Sequence, residues 1–168
     1  MELRPFAPRH APAVAGWPAS AAEVLMWCGR REFPLSARTV TGWQEDDDVR
    51  AHVLVDGETP LAYGELWFDA EEGEVELARL IVAPWARGEG RGRALVAALT
   101  ARAVEAGFAD VFLRVHPDND RALGCYLGAG FVPVDDGLAQ SWNAVQPVAY
   151  RWLRHAPRAT GATDGRED

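Results

Sequence analysis

The sequence predicts an α/β (α+β) fold in which a twisted, mostly antiparallel sheet contains a central parallel β-α-β unit and carries helices on both faces. Two patterns predict it. Strand-like segments at 50–55, 61–69 and 74–82 follow one another across short turns, as in an antiparallel meander. A glycine-rich loop, a helical segment and a further strand come after the last of them, which is the order of a parallel β-α-β unit.

Length and composition indicate one globular domain. A chain of 168 residues with 48% hydrophobic residues can bury one sizeable core. We expect a single domain over residues 1–155 and a disordered tail over 156–168, where small, polar and charged residues dominate. Apolar runs are far shorter than the ~20 residues that span a bilayer. The first residues do not resemble a signal peptide, so we expect a cytoplasmic protein that does not bind membranes.

Charge and cysteine content narrow the function classes. The net charge of −8 argues against broad binding to nucleic acid. Two cysteines are too few for a disulfide scaffold and match no metal spacing, so we expect no metal. The acidic run at 45–48 is interpreted as a solvated loop, with contact to a cationic substrate as the alternative.

The N-terminal part combines one strand with two helices. A proline makes the strand at 3–6 an edge strand. Ser20 and Ser36 are typical N-cap residues for helices over 21–28 and 37–44. The large aromatic residues of this region are expected to pack in the core or to line an acceptor pocket: Trp17, Trp27, Phe33 and Trp43.

Helices and strands alternate in the C-terminal half. Apolar residues at helical spacing predict helices over 93–106 and 121–128. Alternating or continuous apolar residues predict strands at 111–115, 131–134 and 146–153.

The segment Arg87-Gly88-Glu89-Gly90-Arg91-Gly92 lies between a predicted strand and a predicted helix. Helix N-termini carry unpaired N–H groups and positive potential, and glycines let a ligand approach the backbone, so the segment suits a phosphate. It is not a P-loop, because the chain contains no lysine. A dinucleotide fingerprint counted from Gly88 fails at Arg93.

Arg87, Gly90 and Gly92 satisfy the pattern [Q/R]-x-x-G-x-[G/A]. The segment resembles the acetyl-CoA pyrophosphate loop of the GNAT superfamily of N-acetyltransferases. The resemblance is close over residues 76–134, whereas residues 1–75 match only in the order of elements. It implies acetyl-CoA as cosubstrate, with the pyrophosphate bound by the following residues: Arg87, Gly88, Gly90, Arg91, Gly92 and Arg93.

Four further residues acquire roles from the resemblance. Main-chain groups of Leu80 and Val82 are expected to bind the pantetheine arm as an added strand would. Asn119 and Tyr126 resemble the family's N-(x)6-Y pattern, in which the tyrosine protonates the departing thiolate. Asn119 is expected either to act near the coenzyme or simply to cap its helix.

The general base is the least specified of the predicted roles. Glu76 matches a glutamate that serves as base in some family members. Strand alternation puts it on the face of Leu80 and Val82 if no β-bulge intervenes. Glu65, Glu74 and a water chain are the alternatives.

Three neighbouring residues are given structural interpretations. We expect Arg114 to form a surface ion pair, His116 to be a loop residue and Cys125 to be a small buried residue, since no histidine lies at a readable spacing from it.

The function that the resemblance implies is direct transfer of an acetyl group from acetyl-CoA to a primary amine. The acceptor is left open between a small molecule and a protein N-terminus, and the acidic composition weakly favours an aminoglycoside or polyamine. The alternative function is a non-catalytic regulatory module that binds an acyl-CoA. Oligomeric state is also left open, with a homodimer as one option.

Overall fold

A computed structural model describes residues 1–156 of the chain. The strands are β1 (Glu2–Pro5), β2 (Val49–Asp56), β3 (Thr59–Asp69), β4 (Glu74–Val82), β5 (Asp110–Val115), β6 (Phe131–Pro133) and β7 (Arg151–His155). The helices are α1 (Ala11–Ala15), α2 (Ala21–Cys28), α3 (Ala37–Gly42), α4 (Arg91–Glu105), α5 (Asp120–Gly128) and α6 (Asp136–Asn143). The predicted tail lies outside the described residues except for Ala156, whose N–H donates to the Gly130 carbonyl at 3.1 Å.

The strands form one sheet in the order β1-β2-β3-β4-β5-β7-β6. Only β4 and β5 pair in parallel among the described strands. The predicted mixed, mostly antiparallel sheet with a parallel β-α-β unit is therefore confirmed, and the strand containing Pro5 is an edge strand, as expected.

Two hydrophobic cores lie on opposite faces of the sheet. Val14, Val24 and Val40 of the N-terminal helices pack on one face. Leu95 and Leu99 of α4 pack on the other.

Within residues 1–156, no helix combines the length and the apolarity needed to cross a bilayer.

A β-bulge in β4 changes the alternation on which the prediction for Glu76 depended. Tyr63 pairs with Ile81 but Glu65 pairs with Ala78, so β4 has one residue more than β3 in this stretch. The extra residue is at Arg79, whose φ of +47° lies in the left-handed region. As a result, Glu76 does not share a face with Leu80 and Val82, and that expectation is wrong.

Leu80 turns instead toward α4. It packs in the α4 core beside Leu95 and Leu99. A Cβ at Gly64 would lie 2.6 Å from the Leu80 Cδ2 atom and 2.7 Å from the Leu99 Cδ1 atom, so only glycine leaves room for this packing.

The C-terminal region corrects a second expectation. Residues 146–150 are not part of the last strand, which begins at Arg151, and an unpredicted helix, α6, precedes them. The side chain of Asp135 accepts a hydrogen bond from the Gly137 N–H at 3.1 Å and starts that helix. Pro147 lacks an N–H group for a sheet ladder, which favours a loop at this point.

Both predicted N-caps of the N-terminal helices are confirmed. The Ser20 hydroxyl accepts a hydrogen bond from the Glu23 N–H, and the Ser36 hydroxyl accepts one from the Thr39 N–H, each at 3.2 Å. The Glu23 carboxylate accepts a hydrogen bond from the Ala19 N–H at 2.9 Å, so two side chains bond to backbone N–H groups at the N-terminus of α2.

Replacing Ser20 by alanine should lower the free energy of unfolding by about 1 kcal/mol, because a first-turn N–H loses its acceptor. The melting temperature should fall by about 2–4 °C. Ser141→Ala is the matched control, because Ser141 is exposed within α6 and its hydroxyl has no partner among the described residues. Equal melting temperatures for the two variants would contradict the capping role.

Candidate active site

The cleft between β4 and β5 arises where the two strands stop pairing. Their parallel ladder comprises only residues 74–76 of β4 and 110–112 of β5, although both strands continue. Beyond Glu76, β4 bonds to β3 on one side and opens into a cleft of about 790 Å³ on the other. No other strand among residues 1–156 pairs with this open side of β4, so an extended ligand can bind there as an added strand would.

All eleven predicted site residues line this cleft: Glu76, Leu80, Val82, Arg87, Gly88, Gly90, Arg91, Gly92, Arg93, Asn119 and Tyr126. The structure thus brings these residues together at one cleft, while their roles stay predictions.

The glycine loop forms one end of the cleft. Gly88 and Gly90 have φ values of +80° and +76°, which only glycine adopts without strain. Gly90 is the N-cap of α4, and no side chain of residues 1–156 caps the first turn, which starts at Arg91 rather than at Arg93. The unpaired N–H groups of that turn leave an anion site at the cleft.

Arginine side chains surround this anion site. Arg87 donates from Nε to the Val82 carbonyl at 3.2 Å, and its Nη2 lies 3.5 Å from the Glu23 Oε2 atom of α2. The Nε atom of Arg91 is buried and has no acceptor among residues 1–156. A phosphate at the loop would supply that acceptor, so the residues present fit the pyrophosphate of a coenzyme A.

α5 forms the wall opposite β4. The Asn119 Oδ1 atom caps α5 by accepting from the Ala122 N–H at 3.2 Å, so the expected structural role is observed and the coenzyme role stays open. Tyr126 faces the cleft from two helical turns later. Burial raises the pKa of Tyr126 above its ordinary value, with a smaller contribution from the adjacent Cys125 thiol. The hydroxyl is therefore protonated at neutral pH and able to donate a proton.

Cys125 also lines the cleft. The residue is half-buried rather than fully buried as expected, and this burial raises the pKa of its thiol, which keeps the sulfur protonated and a poor nucleophile. His116 lines the cleft as well, and its Nδ1 atom accepts from the Asp118 N–H at 3.2 Å.

Glu76 is buried and is paired with Arg114. The Arg114 Nε atom donates to Oε1 at 2.6 Å and Nη2 donates to Oε2 at 2.9 Å. Arg114 also donates from Nη1 to the Gln146 side chain at 3.0 Å and lies 4.7 Å from the Trp152 ring. The expectation of a surface ion pair for Arg114 is wrong, because strand pairing brings β5 beside the buried Glu76.

The competing bases lie elsewhere. The side chain of Glu65 is fully buried and accepts hydrogen bonds from the Tyr63 hydroxyl, from Trp67 Nε1 at 2.6 Å and from Arg79 Nη1 at 2.9 Å. Burial raises the pKa of Glu65, and these donors act in the opposite direction. Neither Glu65 nor Glu74 lines the cleft, so Glu76 is the only one of the three glutamates that does.

Sequence reasoning missed three residues at the end of the cleft farthest from the glycine loop: Trp67, Arg79 and Tyr150. A single arginine inside the apolar run of β4 was the available signal for Arg79.

The aromatic residues of the N-terminal region divide between both expected roles. Trp17 is a core residue and Trp27 lines the cleft, whereas Phe33 is exposed.

The family model of the acetyltransferase (GNAT) family matches residues 19–131, which is more than half of the chain. The chain belongs to the GNAT family. Members of this family use acetyl-CoA, so the anion site at the glycine loop agrees with the family's coenzyme.

One curated relative is the mycothiol acetyltransferase of Jonesia denitrificans, with 35% identity over 125 residues. The match covers 73% of this chain but only 38% of that relative's length. The relative's whole activity therefore does not transfer to this chain by similarity alone.

Solved GNAT structures share the fold. AAC(6')-Ib in complex with paromomycin and acetyl-CoA aligns with a TM-score of 0.74 and 17% identity, covering 95% of this chain and 97% of that chain. The spermidine N-acetyltransferase of Vibrio cholerae, in complex with CoA and spermine, aligns with a TM-score of 0.70 and 17% identity over 91% and 92% of the two chains. Such identities support the fold and do not identify the acceptor.

Proposed function

We propose that this GNAT protein transfers an acetyl group from acetyl-CoA directly to a primary amine of a small molecule or a protein N-terminus. The observation that carries the proposal is the cleft itself. Its glycine loop offers unpaired N–H groups and arginines for a pyrophosphate, and its open β4 edge offers backbone groups for an extended arm.

Acetyl-CoA supplies the acetyl group as a thioester: a carbon–nitrogen bond forms to the amine and the carbon–sulfur bond breaks. Arg87, Gly88, Gly90, Arg91, Gly92 and Arg93 hold the pyrophosphate, and Leu80 and Val82 hold the arm through main-chain groups. Asn119 lines the same cleft, which suits a contact with the coenzyme. Holding both reactants in one cleft converts a bimolecular reaction into an effectively intramolecular one.

Tyr126 is proposed as the general acid, donating its proton to the departing sulfur. Its position on the cleft wall supports this assignment, and the raised pKa of Tyr126 means only that the hydroxyl is protonated at neutral pH. Cys125 beside it is a protonated thiol, which supports direct transfer rather than an acetylated cysteine.

Glu76 is proposed to accept the proton that the amine loses. Both carboxylate oxygens already bind Arg114, which holds the group in one orientation and leaves a second lone pair on each oxygen. The amine proton is transferred to such an oxygen through one water. The protons of the reaction then balance, because one leaves the amine for Glu76 and one reaches the sulfur from Tyr126.

Thermal unfolding with and without acetyl-CoA tests the coenzyme, with ATP and NAD as controls. A ligand at 100 times its dissociation constant stabilises the fold by about 2.7 kcal/mol. For a chain of this length the melting temperature should rise by roughly 5–10 °C with acetyl-CoA alone. A rise with ATP or NAD instead would contradict the proposal.

Release of the free thiol of CoA in the presence of an amine panel then tests the reaction. Amine-dependent release is expected. Binding of acetyl-CoA without release of CoA for any amine would favour the non-catalytic regulatory module. In that module Glu76 would stay bound to Arg114 and accept no proton.

A further inference from the structure

Three residues of the segment that follows α6 contact the Arg114 guanidinium. The Gln146 side chain accepts a hydrogen bond from Nη1 at 3.0 Å. The guanidinium carbon lies 5.4 Å from the centroid of the Tyr150 ring and 4.7 Å from that of the Trp152 ring. These contacts restrict the guanidinium, and the orientation of the Glu76 carboxylate follows from it, because both carboxylate oxygens bind Arg114.

One residue at the end of α6 holds all three of these residues. The Asn143 Nδ2 atom donates to the Tyr150 carbonyl at 2.9 Å, and its Oδ1 atom accepts from the Tyr150 N–H at 3.1 Å. The same Oδ1 atom accepts from the Trp152 indole N–H at 2.9 Å. The Asn143 carbonyl accepts from the Gln146 N–H at 3.0 Å. Asn143 therefore fixes the contacts that this segment makes with Arg114.

Aromatic packing gives the end of α6 a defined place. The Trp142 ring lies 5.0 Å from the Trp152 ring and 5.3 Å from the Phe112 ring of β5, measured between centroids. Asn143 itself does not line the cleft, whereas Tyr150, Arg114 and Glu76 do. Any effect of Asn143 on a reaction in the cleft must therefore pass through the residues that it holds.

We propose that Asn143 is a positioning residue for the loss of the amine proton. It holds Gln146, Tyr150 and Trp152 against Arg114, and Arg114 in turn presents Glu76 to the cleft in one orientation. The inference rests on the proposed function, because it requires that Glu76 accept the proton. No proton passes through Asn143 itself.

Asn143→Ala removes the three side-chain hydrogen bonds and should lower kcat by about 10- to 100-fold, as a small misplacement of a reacting group does. The dissociation constant of acetyl-CoA should stay nearly unchanged, because Asn143 does not line the cleft. Asn143→Asp keeps the acceptor for Tyr150 and Trp152 and should recover most of the rate. Spermidine, kanamycin and an alanyl dipeptide serve as acceptors, and the fastest of them is used for every variant.

Asp135→Ala is the matched control, because it weakens the same helix at its other end. The Asp135 side chain caps α6 by accepting from the Gly137 N–H at 3.1 Å. Both variants should lower the melting temperature, but only Asn143→Ala should lower kcat. In a Glu76→Gln background, Asn143→Ala should cause no further loss of kcat, because its effect passes through Glu76.

Hydrogen exchange at Arg114 gives a readout that needs no turnover. The Arg114 Nε–H group donates to Glu76 at 2.6 Å. In NMR spectra of nitrogen-labelled protein, this proton should exchange slowly with water in the wild type and in Asp135→Ala, and faster in Asn143→Ala.

The outcomes separate the inference from the proposed function. A kcat that falls in Glu76→Gln but not in Asn143→Ala would overturn the inference alone, as would an equal loss of kcat in Asp135→Ala or unchanged exchange at Arg114 in Asn143→Ala. A wild-type kcat in Glu76→Gln would remove Glu76 as the base, and the inference with it. Binding of acetyl-CoA without release of CoA for any amine would overturn the proposed transfer.

Discussion

Replacement of Gly90 by tryptophan is expected to abolish acetyl-CoA binding. Gly90 is the N-cap of α4, and a Cβ at this position would meet no atom of the described residues 1–156 within 4 Å. An indole there therefore projects into open space and not into the core, and it fills the region where a pyrophosphate would meet the first-turn N–H groups. The dissociation constant should rise more than ~100-fold, and the melting-temperature shift of the wild type should disappear at the same ligand concentration.

Gly73→Trp is the matched control for this variant. Gly73 also has a positive φ, +68°, and open space around it, but it lies in the turn between β3 and β4 and does not line the cleft. Both variants force a side chain into the left-handed region, at a cost of about 1–2 kcal/mol. Only Gly90→Trp should lose the response to acetyl-CoA. An equal response in both variants would remove the loop from the coenzyme site.

Local signals explain why the glycine loop and the helix caps could be predicted from the sequence. Positive φ at Gly90 requires glycine, and the hydroxyls of Ser20 and Ser36 satisfy N–H groups only three residues away. Such requirements act within one turn of the chain. A residue pattern is then sufficient to find the end of a strand, the anion site and the start of a helix.

The environment of Glu76 could not be predicted in the same way. Its partner Arg114 is 38 residues away and reaches it only because β4 and β5 pair in parallel at that point. The bulge at Arg79 depends on Glu65 and on Trp27, 52 residues earlier, whose indole N–H satisfies the displaced carbonyl. Strand alternation places Glu76 on the face of Leu80 and Val82 only in the absence of a bulge, and the bulge at Arg79 removes that condition.

The segment before β7 was missed for a related reason. Asn143 at the end of α6 donates from Nδ2 to the Tyr150 carbonyl at 2.9 Å and accepts from the Tyr150 N–H at 3.1 Å. These hydrogen bonds from a side chain replace the backbone hydrogen bonds of a sheet. As a consequence, Tyr150 is held at the cleft. The sequence of this segment contains apolar residues at strand-like spacing, and no local pattern reveals that a side chain seven residues earlier satisfies its backbone.

Tyr126→Phe is expected to lower the rate of the chemical step while leaving acetyl-CoA affinity nearly unchanged. The substitution removes one hydroxyl and keeps the ring that packs beside the α4 core. A positioned general acid contributes about 10²- to 10⁴-fold to the rate, so kcat should fall by at least ~100-fold. Single-turnover measurements by rapid mixing are the proper readout, because slow product release would hide the change in steady-state kcat.

The pH dependence and a second tyrosine make this prediction specific. Because the pKa of Tyr126 is raised, the acid stays protonated and the wild-type rate should not fall up to about pH 10 through loss of its proton. Tyr150→Phe removes another hydroxyl that lines the cleft and should reduce the single-turnover rate far less than Tyr126→Phe does. Equal effects in the two variants, or a wild-type rate in Tyr126→Phe, would show that the proton reaches the sulfur from another source, most simply from water admitted to the cleft.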